Sequence, residues 1–241
     1  MRFLDLTLPT PAENLALDEA LLEEADAAAH PLETVRLWEP PRPLVVVGRS
    51  SQVELEVERA ACRAAPGDVP VLRRASGGLS IVTGPGCLMY AVVLSHARHP
   101  QLRAIDAAHD FVLGEIAAAL SRRLPHVARR GTSDLTLGDK KFSGNSLRAK
   151  KHALLYHGTL LYDFPLELVS RYLKHPPRAP DYRAGRSHAD FIANLPLERA
   201  TLVQAVVEAF GAHEAASDWP RELTSRLAHE KYSRAEWNEQ R

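Results

Sequence analysis

Hydrophobic and polar positions change period several times along the chain, and each period predicts an element. Residues 11–29 open on a Thr10-Pro11 start signal, with Leu15, Leu17, Ala20, Leu21 and Leu22 on one side at helical spacing and acids on the other. Two short β-type runs follow, residues 35–38 and Leu44–Val47, separated by a turn in which Pro40, Pro41 and Pro43 forbid a helix. Residues 53–65 are charged and amphipathic, predicting a helix stopped by Pro66-Gly67-Asp68. Residues 70–73 predict a strand, a glycine-rich stretch comes next, and Cys87–Ser95 is apolar enough for a buried strand. A long helix is predicted over 102–124 from Phe111, Val112, Ile116 and Leu120. Strands at Asp134–Leu137 and 153–162 flank a polar, basic loop. Helices are predicted over 165–173 and 197–210, an irregular proline-rich loop over 175–188, and partial helix beyond Trp219. Strands and helices interleave without regular βαβ alternation, so the expected class is α+β with mixed, largely antiparallel sheets, built as one domain over 1–241.

Composition narrows the function. With 45% hydrophobic and 25% charged residues, the chain is too apolar for disorder, and its apolar runs are too interrupted for a membrane span. Thirty basic residues balance thirty acidic ones, so no global field favours nucleic acid or an acidic membrane as partner. Two cysteines, Cys62 and Cys87, make neither a disulfide framework nor a four-ligand zinc site by themselves. The amino end carries acids where a secretory signal needs an apolar run, so a reducing cytoplasm is the expected compartment.

Three segments can carry chemistry. Arg73-Arg74-Ala75-Ser76-Gly77-Gly78 ends a strand; its glycines let backbone N–H groups approach an anion, and its arginines supply forked donors. The alternative is a turn with two solvated arginines, and neither a Walker loop nor a dinucleotide fingerprint is present. In residues 133–151, Gly138-Asp139 turns the chain into a hairpin whose second arm carries Lys140, Lys141 and Ser143. Alternation places Lys140 and Phe142 on one face and Lys141 and Ser143 on the other. Lys141 is then placed to neutralise charge at a phosphoryl or acyl group, unless the hairpin is merely solvated. His157, before Gly158 in an apolar strand, reads either as a satisfied structural histidine or as a site residue. Cys87 opens an apolar run, so an inert buried thiol competes with a nucleophile; Trp38, beside the proline turn, is core or lid.

Taken in order, these pieces resemble the lipoate–protein ligase A family, within the biotin/lipoate ligase superfamily. Asn14-Leu15-Ala16-Leu17-Asp18-Glu19 resembles its opening helix, and Gly48-Arg49-Ser50-Ser51-Gln52 the turn after its second strand. Arg73 to Gly78 is similar to the family's RRxSGGG loop, and Ser133-Asp134-Leu135 with Lys141-Phe142-Ser143-Gly144-Asn145-Ser146 to its NDL and lysine segment. His157-Gly158-Thr159-Leu160-Leu161 resembles its HGTLL strand, and Lys231-Tyr232-Ser233 with Glu236-Trp237-Asn238 its ending. The likeness spans nearly the whole chain.

The resemblance implies the catalytic-domain fold of biotin/lipoate ligases and a two-step reaction. ATP with Mg2+ converts lipoate or octanoate to an acyl-adenylate, and the acyl group then passes to a lysine of a lipoyl-domain protein. That acceptor is a 2-oxoacid dehydrogenase E2 or a glycine cleavage H-type protein. By the same carry-over Lys141 is the catalytic residue, and Arg73, Arg74, Ser76, Gly77 and Gly78 cradle the acyl-adenylate. Thr83, Ser143, Ser146 and His157 line the rest, Trp38 closes over the dithiolane end, and Asp134 holds Mg2+.

The chain departs from the family pattern at Leu79, where the loop's third glycine is expected, and at Thr83, where a histidine is expected. Thr83-Gly84-Pro85-Gly86 resembles instead the HGPG stretch of octanoyltransferases. Many ligases continue into an accessory domain where this chain stops, so a separate accessory-domain protein is an expected partner. Two alternatives follow: an ATP-independent octanoyl or lipoyl transferase using Cys87, or a non-catalytic lipoate-binding module. The basic loop with Arg178, Arg183 and Arg186 is the expected contact for an acidic lipoyl domain.

Overall fold

A computed structural model of the chain describes residues 1–65 and 67–240. Strands run over Arg2–Asp5 (β1), Thr34–Trp38 (β2), Leu44–Val47 (β3), Val71–Arg73 (β4), Ile81–Thr83 (β5) and Cys87–Ser95 (β6). They continue with Val127–Arg130 (β7), Asp134–Leu137 (β8), Lys140–Ala149 (β9), Ala153–Leu161 (β10) and Glu214–Ala215 (β11). Helices cover Pro11–Ala27 (α1), Val53–Glu56 (α2), Arg59–Ala64 (α3), Ile105–Ser121 (α4) and Glu167–Tyr172 (α5). The remaining helices are His188–Phe191 (α6), Arg199–Phe210 (α7), Arg221–Leu227 (α8) and Ala235–Asn238 (α9).

The large sheet has the order β11-β1-β2-β6-β10-β9-β8-β7, and β4-β3-β5 forms a small second sheet. The pairs β1–β2, β1–β11 and β3–β4 are parallel and the others antiparallel, so the class is α+β with mixed, largely antiparallel sheets. β6 and β10 are buried along their whole length, which is why both read as near-continuous apolar runs. Their alternation still sorts the two faces. Tyr90, Val92, Leu154 and Tyr156 pack with Val112, Leu113 and Ile116 of α4, whereas Ala91, Val93 and Leu155 pack with Leu17, Leu21 and Leu22 of α1.

α1 starts as predicted, with Pro11 in its first turn and a capping box between Thr10 and Glu13. Its acids are not all on a solvent face, however. Asp18 and Glu19 are buried and paired, Asp18 with Arg36 at 2.5 Å and Glu19 with Arg148 and Lys231 at 2.7 Å each. A helix between two packed layers has no wet side, so its carboxylates need buried partners.

The predicted helix over 53–65 is two helices. Between them Glu58 N–H donates to the Tyr172 carbonyl, and Val57 bridges Leu173, so the backbone leaves the helix to pair with the end of α5. The proline of its predicted stop signal, Pro66, lies outside the described residues. The long helix is shorter than 102–124, because Pro100–Arg103 forms a separate 3-10 turn. The loop over 175–188 contains a 3-10 turn at Asp181–Arg183, and its last residue begins α6. The polar, basic loop expected between the strands at 134–137 and 153–162 is for the most part β9, several of whose polar residues face a cavity, and β1, β5, β7 and β11 are too short for alternation to stand out.

Candidate active site

β3 and β4 run parallel and end together, at Val47 and Arg73, which brings the turn after β3 against the arginine–glycine loop after β4. The approach is so close that a Cβ on Gly48 would lie 1.8 Å from the Gly78 carbonyl oxygen; Ser51 Oγ donates to that same oxygen at 3.0 Å. Gly78 itself sits at φ +84°, a conformation costly for any residue with a side chain.

The two neighbouring arginines point to different places. Arg73 is fully buried, and its guanidinium donates to the carbonyls of Gly48 (2.7 Å), Ser51 (2.9 Å), Trp237 (3.0 Å) and Gln240 (2.6 Å). Trp237 Nε1 returns a bond to the Arg73 carbonyl at 2.8 Å. Arg73 therefore ties the carboxy-terminal segment to the loop and is not on the cavity wall, contrary to its expected place in the cradle. Arg74 does line the cavity, donating to the carbonyls of Gly77 and Leu79 and to Ser76 Oγ. Burial lowers its pKa to about 10.

That cavity has a volume of about 470 Å³, and Gly78, Leu79 and Ser80 continue its wall from Arg74. Ser76 and Gly77, expected in the cradle, stand behind the wall: Ser76 Oγ is 2.5 Å from His157 Nε2, and the Gly77 carbonyl accepts from Ser146 Oγ at 2.9 Å. The side chain at Leu79, where a glycine was expected, lines the cavity.

β9 supplies another wall. A register shift between Leu135 and Thr136 lets Lys141 pair with Thr136 and Ser143 with Leu135, so Phe142 enters the core while Lys140 stays exposed. Lys141, Ser143, Gly144, Asn145 and Ser146 line the cavity. Lys141 Nζ is 2.7 Å from Asp134 Oδ1, folded over Gly144, where an added Cβ would come within 3.0 Å of the ammonium. Asp134 Oδ2 accepts from Tyr182 Oη at 2.7 Å. Each carboxylate oxygen thus accepts one bond and keeps a further lone pair, which leaves Asp134 able to ligate Mg2+; among the described residues no group of three His, Cys, Asp or Glu is placed to hold a metal.

His157 lies on the α1 face of β10 and lines the cavity, its Nδ1 3.4 Å from Asp18 Oδ2. Burial would raise the Asp18 carboxyl, but Arg36 and His157 outweigh it and hold the pKa below the usual range. Arg36 also donates to the Asn14 backbone and side-chain oxygens and to the Leu6 carbonyl.

Three further residues expected at the site lie elsewhere. Trp38 is fully buried under the Arg36 guanidinium, 5.2 Å from its ring centroid, and packs in the core instead of closing over a ligand. Thr83 is buried and donates to Met89 Sδ at 3.2 Å, so that Met89, not Thr83, lines the cavity. Cys87 is fully buried off the cavity, and burial pushes its thiol up to about 12; both weigh against a nucleophilic role. Asp18, Glu56, Asn145 and Arg183 line the cavity without having been singled out for it. Two of them had a local signal: Asn145 lies inside the quoted Lys141–Ser146 string and Asp18 inside the quoted Asn14–Glu19 string.

The family model for the lipoyl protein ligase A/B catalytic domain matches residues 10–213. A putative lipoate-protein ligase A from Aeropyrum pernix is 34% identical over 152 residues, covering 63% of this chain and 54% of that protein. The chain spans a little over half the length of the first curated relatives it matches. A bi-partite lipoate protein ligase from Thermoplasma acidophilum, described with its E2 lipoyl domain, has a TM-score of 0.82 at 22% identity, covering 100% of this chain and 97% of that one. A lipoate-protein ligase A bound with ATP has a TM-score of 0.78 at 22% identity, covering 99% and 98%. At such identities these structures share the fold.

Proposed function

The chain belongs to the lipoyl protein ligase A/B catalytic-domain family, and from that premise we propose that it is a lipoate–protein ligase. In this reading ATP activates lipoate or octanoate to an acyl-adenylate, and the acyl group passes to a lysine of a lipoyl-domain protein. The observation that carries it is Lys141, a cation on a β-arm lining a 470 Å³ cavity that also contains the buried Arg74 and the glycine loop.

The chemistry follows from these groups. A carboxylate substrate enters a cavity with an apolar side formed by Leu15, Val46, Ile81, Val82 and Met89, which suits an acyl tail. Attack of the carboxylate on the α-phosphate of ATP forms the acyl–phosphate bond and expels pyrophosphate. Lys141 offsets charge first on that phosphate and then on the carbonyl oxygen when the acceptor amine attacks, expelling AMP. Asp134 holds the ammonium in place, and Tyr182 holds Asp134. Asp134 is read as the residue that positions Lys141 and as the carboxylate that would hold Mg2+, and no step is assigned to a bound metal.

Acceptor partners of the lipoyl-domain class, E2 or H-type, and a separate accessory-domain protein belong to the same proposal. The basic-loop contact is redrawn, because Arg183 is buried and Arg186 pairs with Asp139 at 3.0 Å. Arg178 is the exposed arginine of that loop.

The test is intact-mass analysis of a lipoyl-domain acceptor incubated with this protein, lipoate or octanoate and Mg2+-ATP. The expected result is an ATP-dependent acyl mass shift with release of AMP and pyrophosphate. A shift that does not need ATP would replace the ligase reading by a transferase. An acyl-adenylate that is bound but never transferred, with candidate accessory proteins added, would favour a binding module.

A further inference from the structure

Arg183 lines the same cavity as Lys141 and is only 3% exposed, yet its Nη2 is buried without a hydrogen-bond partner. Its Nε donates to the Arg186 carbonyl at 2.9 Å, and its guanidinium stands 5.0 Å from the Phe191 ring centroid. Among the described residues no carboxylate lies within 4.0 Å of it. The other buried arginines are satisfied differently: Arg36 has Asp18, while Arg73 and Arg74 are wrapped in carbonyls. Arg183 alone among these four keeps a buried donor unused beside the cavity.

A buried guanidinium N–H with no acceptor costs free energy that a bound acceptor recovers. The surroundings say what charge that acceptor carries. Lys141, Lys174, Arg178 and Arg74 line the same cavity, against Asp18, Glu56 and Asp134. Asp18 is already held by Arg36, Glu56 accepts from Ser80 at 2.7 Å, and Asp134 is held by Lys141 and Tyr182. His188, also on the wall, has its pKa lowered chiefly by burial, with Arg183 and Lys141 both contributing, so those two cations act on one region. The net demand is for an anion.

The arginine is also held in place. Tyr182 anchors the preceding residue to Asp134, and Arg186 anchors the following turn to Asp139. Between them Ala184 and Gly185 adopt φ +50° and +72°, which turns the chain so that Arg186 Nε returns a bond to the Arg183 carbonyl at 3.1 Å.

We propose that Arg183 is an anion-binding residue of this cavity and that its ligand is a phosphate group of the nucleotide used in acyl activation. The inference rests on the ligase reading for the identity of the anion alone; the unsatisfied buried donor stands without it.

The test uses the full chain and Arg183→Met, which keeps an apolar stem against Phe191 while removing the charge. Binding of AMP and of inorganic pyrophosphate is measured by calorimetry at fixed low salt, with the melting temperature of each ligand-free protein. The expected result is a 10- to 100-fold loss of affinity for one or both ligands, about what loss of a charge-assisted hydrogen bond produces. The ligand-free melting temperature stays level or rises, because the variant removes a donor that had no partner. Loss confined to AMP assigns the group next to the nucleoside, and loss confined to pyrophosphate assigns the leaving polyphosphate. Unchanged affinities overturn the proposal, and so does a wild-type protein that binds neither ligand. If Arg183→Met does not fold, arginine side-chain N–H resonances of the wild type decide: the Arg183 signals shift on saturation, and their constancy overturns the proposal. Failure of the ligase reading registers separately, as an unmodified acceptor with wild-type protein that still binds the anion.

Discussion

Replacing Lys141 by Met keeps the length of the aliphatic stem and removes one charge from the cavity wall. Two effects follow, and their sizes separate them. The ion pair with Asp134 is about a quarter exposed on the lysine side, so solvent screens it, and its loss costs about 1 kcal/mol or less. In a chain of 241 residues that lowers the melting temperature by about 2–4 °C. The catalytic effect is larger. Removing one preorganised donor from a site of developing negative charge costs about 10²- to 10³-fold in rate, or roughly 3–4 kcal/mol. The assay is kcat/KM for pyrophosphate release, followed by the intact mass of the acceptor, with circular dichroism and thermal melts on the same preparation. A variant that keeps kcat/KM within threefold of the wild type refutes the assignment. A melting temperature lower by more than about 8 °C would instead make Lys141 a structural residue.

Asp18→Asn leaves Arg36 buried beside a neutral amide, and loss of one partner of such a pair costs about 3–5 kcal/mol at pH 7 in urea unfolding. The Asp18 carboxyl is held below the ordinary aspartate value of 3.8, so its stabilisation is fully present above that pH and fades as the pH falls through the lower folded value. The gap between wild type and variant should therefore shrink below about pH 4; a constant gap contradicts the pairing. Arg73→Met strands several buried carbonyls, at about 1–3 kcal/mol each, so the denaturation midpoint should drop sharply, and an unchanged midpoint refutes the strap. Cys87→Ala should keep ATP-dependent acyl transfer within about twofold and destabilise by of order 1 kcal/mol; abolished transfer in a folded variant would restore the cysteine mechanism.

Groups whose chemistry depends on close neighbours in the chain were legible in the string itself. Lys141 sits one residue before Phe142 on a strand arm, and the apolar residue must go inward, so the lysine takes the other face. Arg74 was marked by the glycines that follow it, and the cap of α1 by Thr10, Pro11 and Glu13. Tertiary structure decided the rest. Arg73 and Arg74 are indistinguishable as letters, yet strand pairing sends one to the carboxy-terminal segment and the other to the cavity. Asp18 reads as a surface acid of an amphipathic helix until packing brings Arg36 and His157 against it, the latter from 139 positions away. Arg183 reads as a solvated charge in a proline-rich loop, but the turn at Ala184 and Gly185 folds it under Phe191. Periodicity and turn chemistry depend on contacts within a few residues, so a sequence carries them openly. The burial and partnering of a charge depend on which distant segments share its volume, and that is fixed only when the layers close.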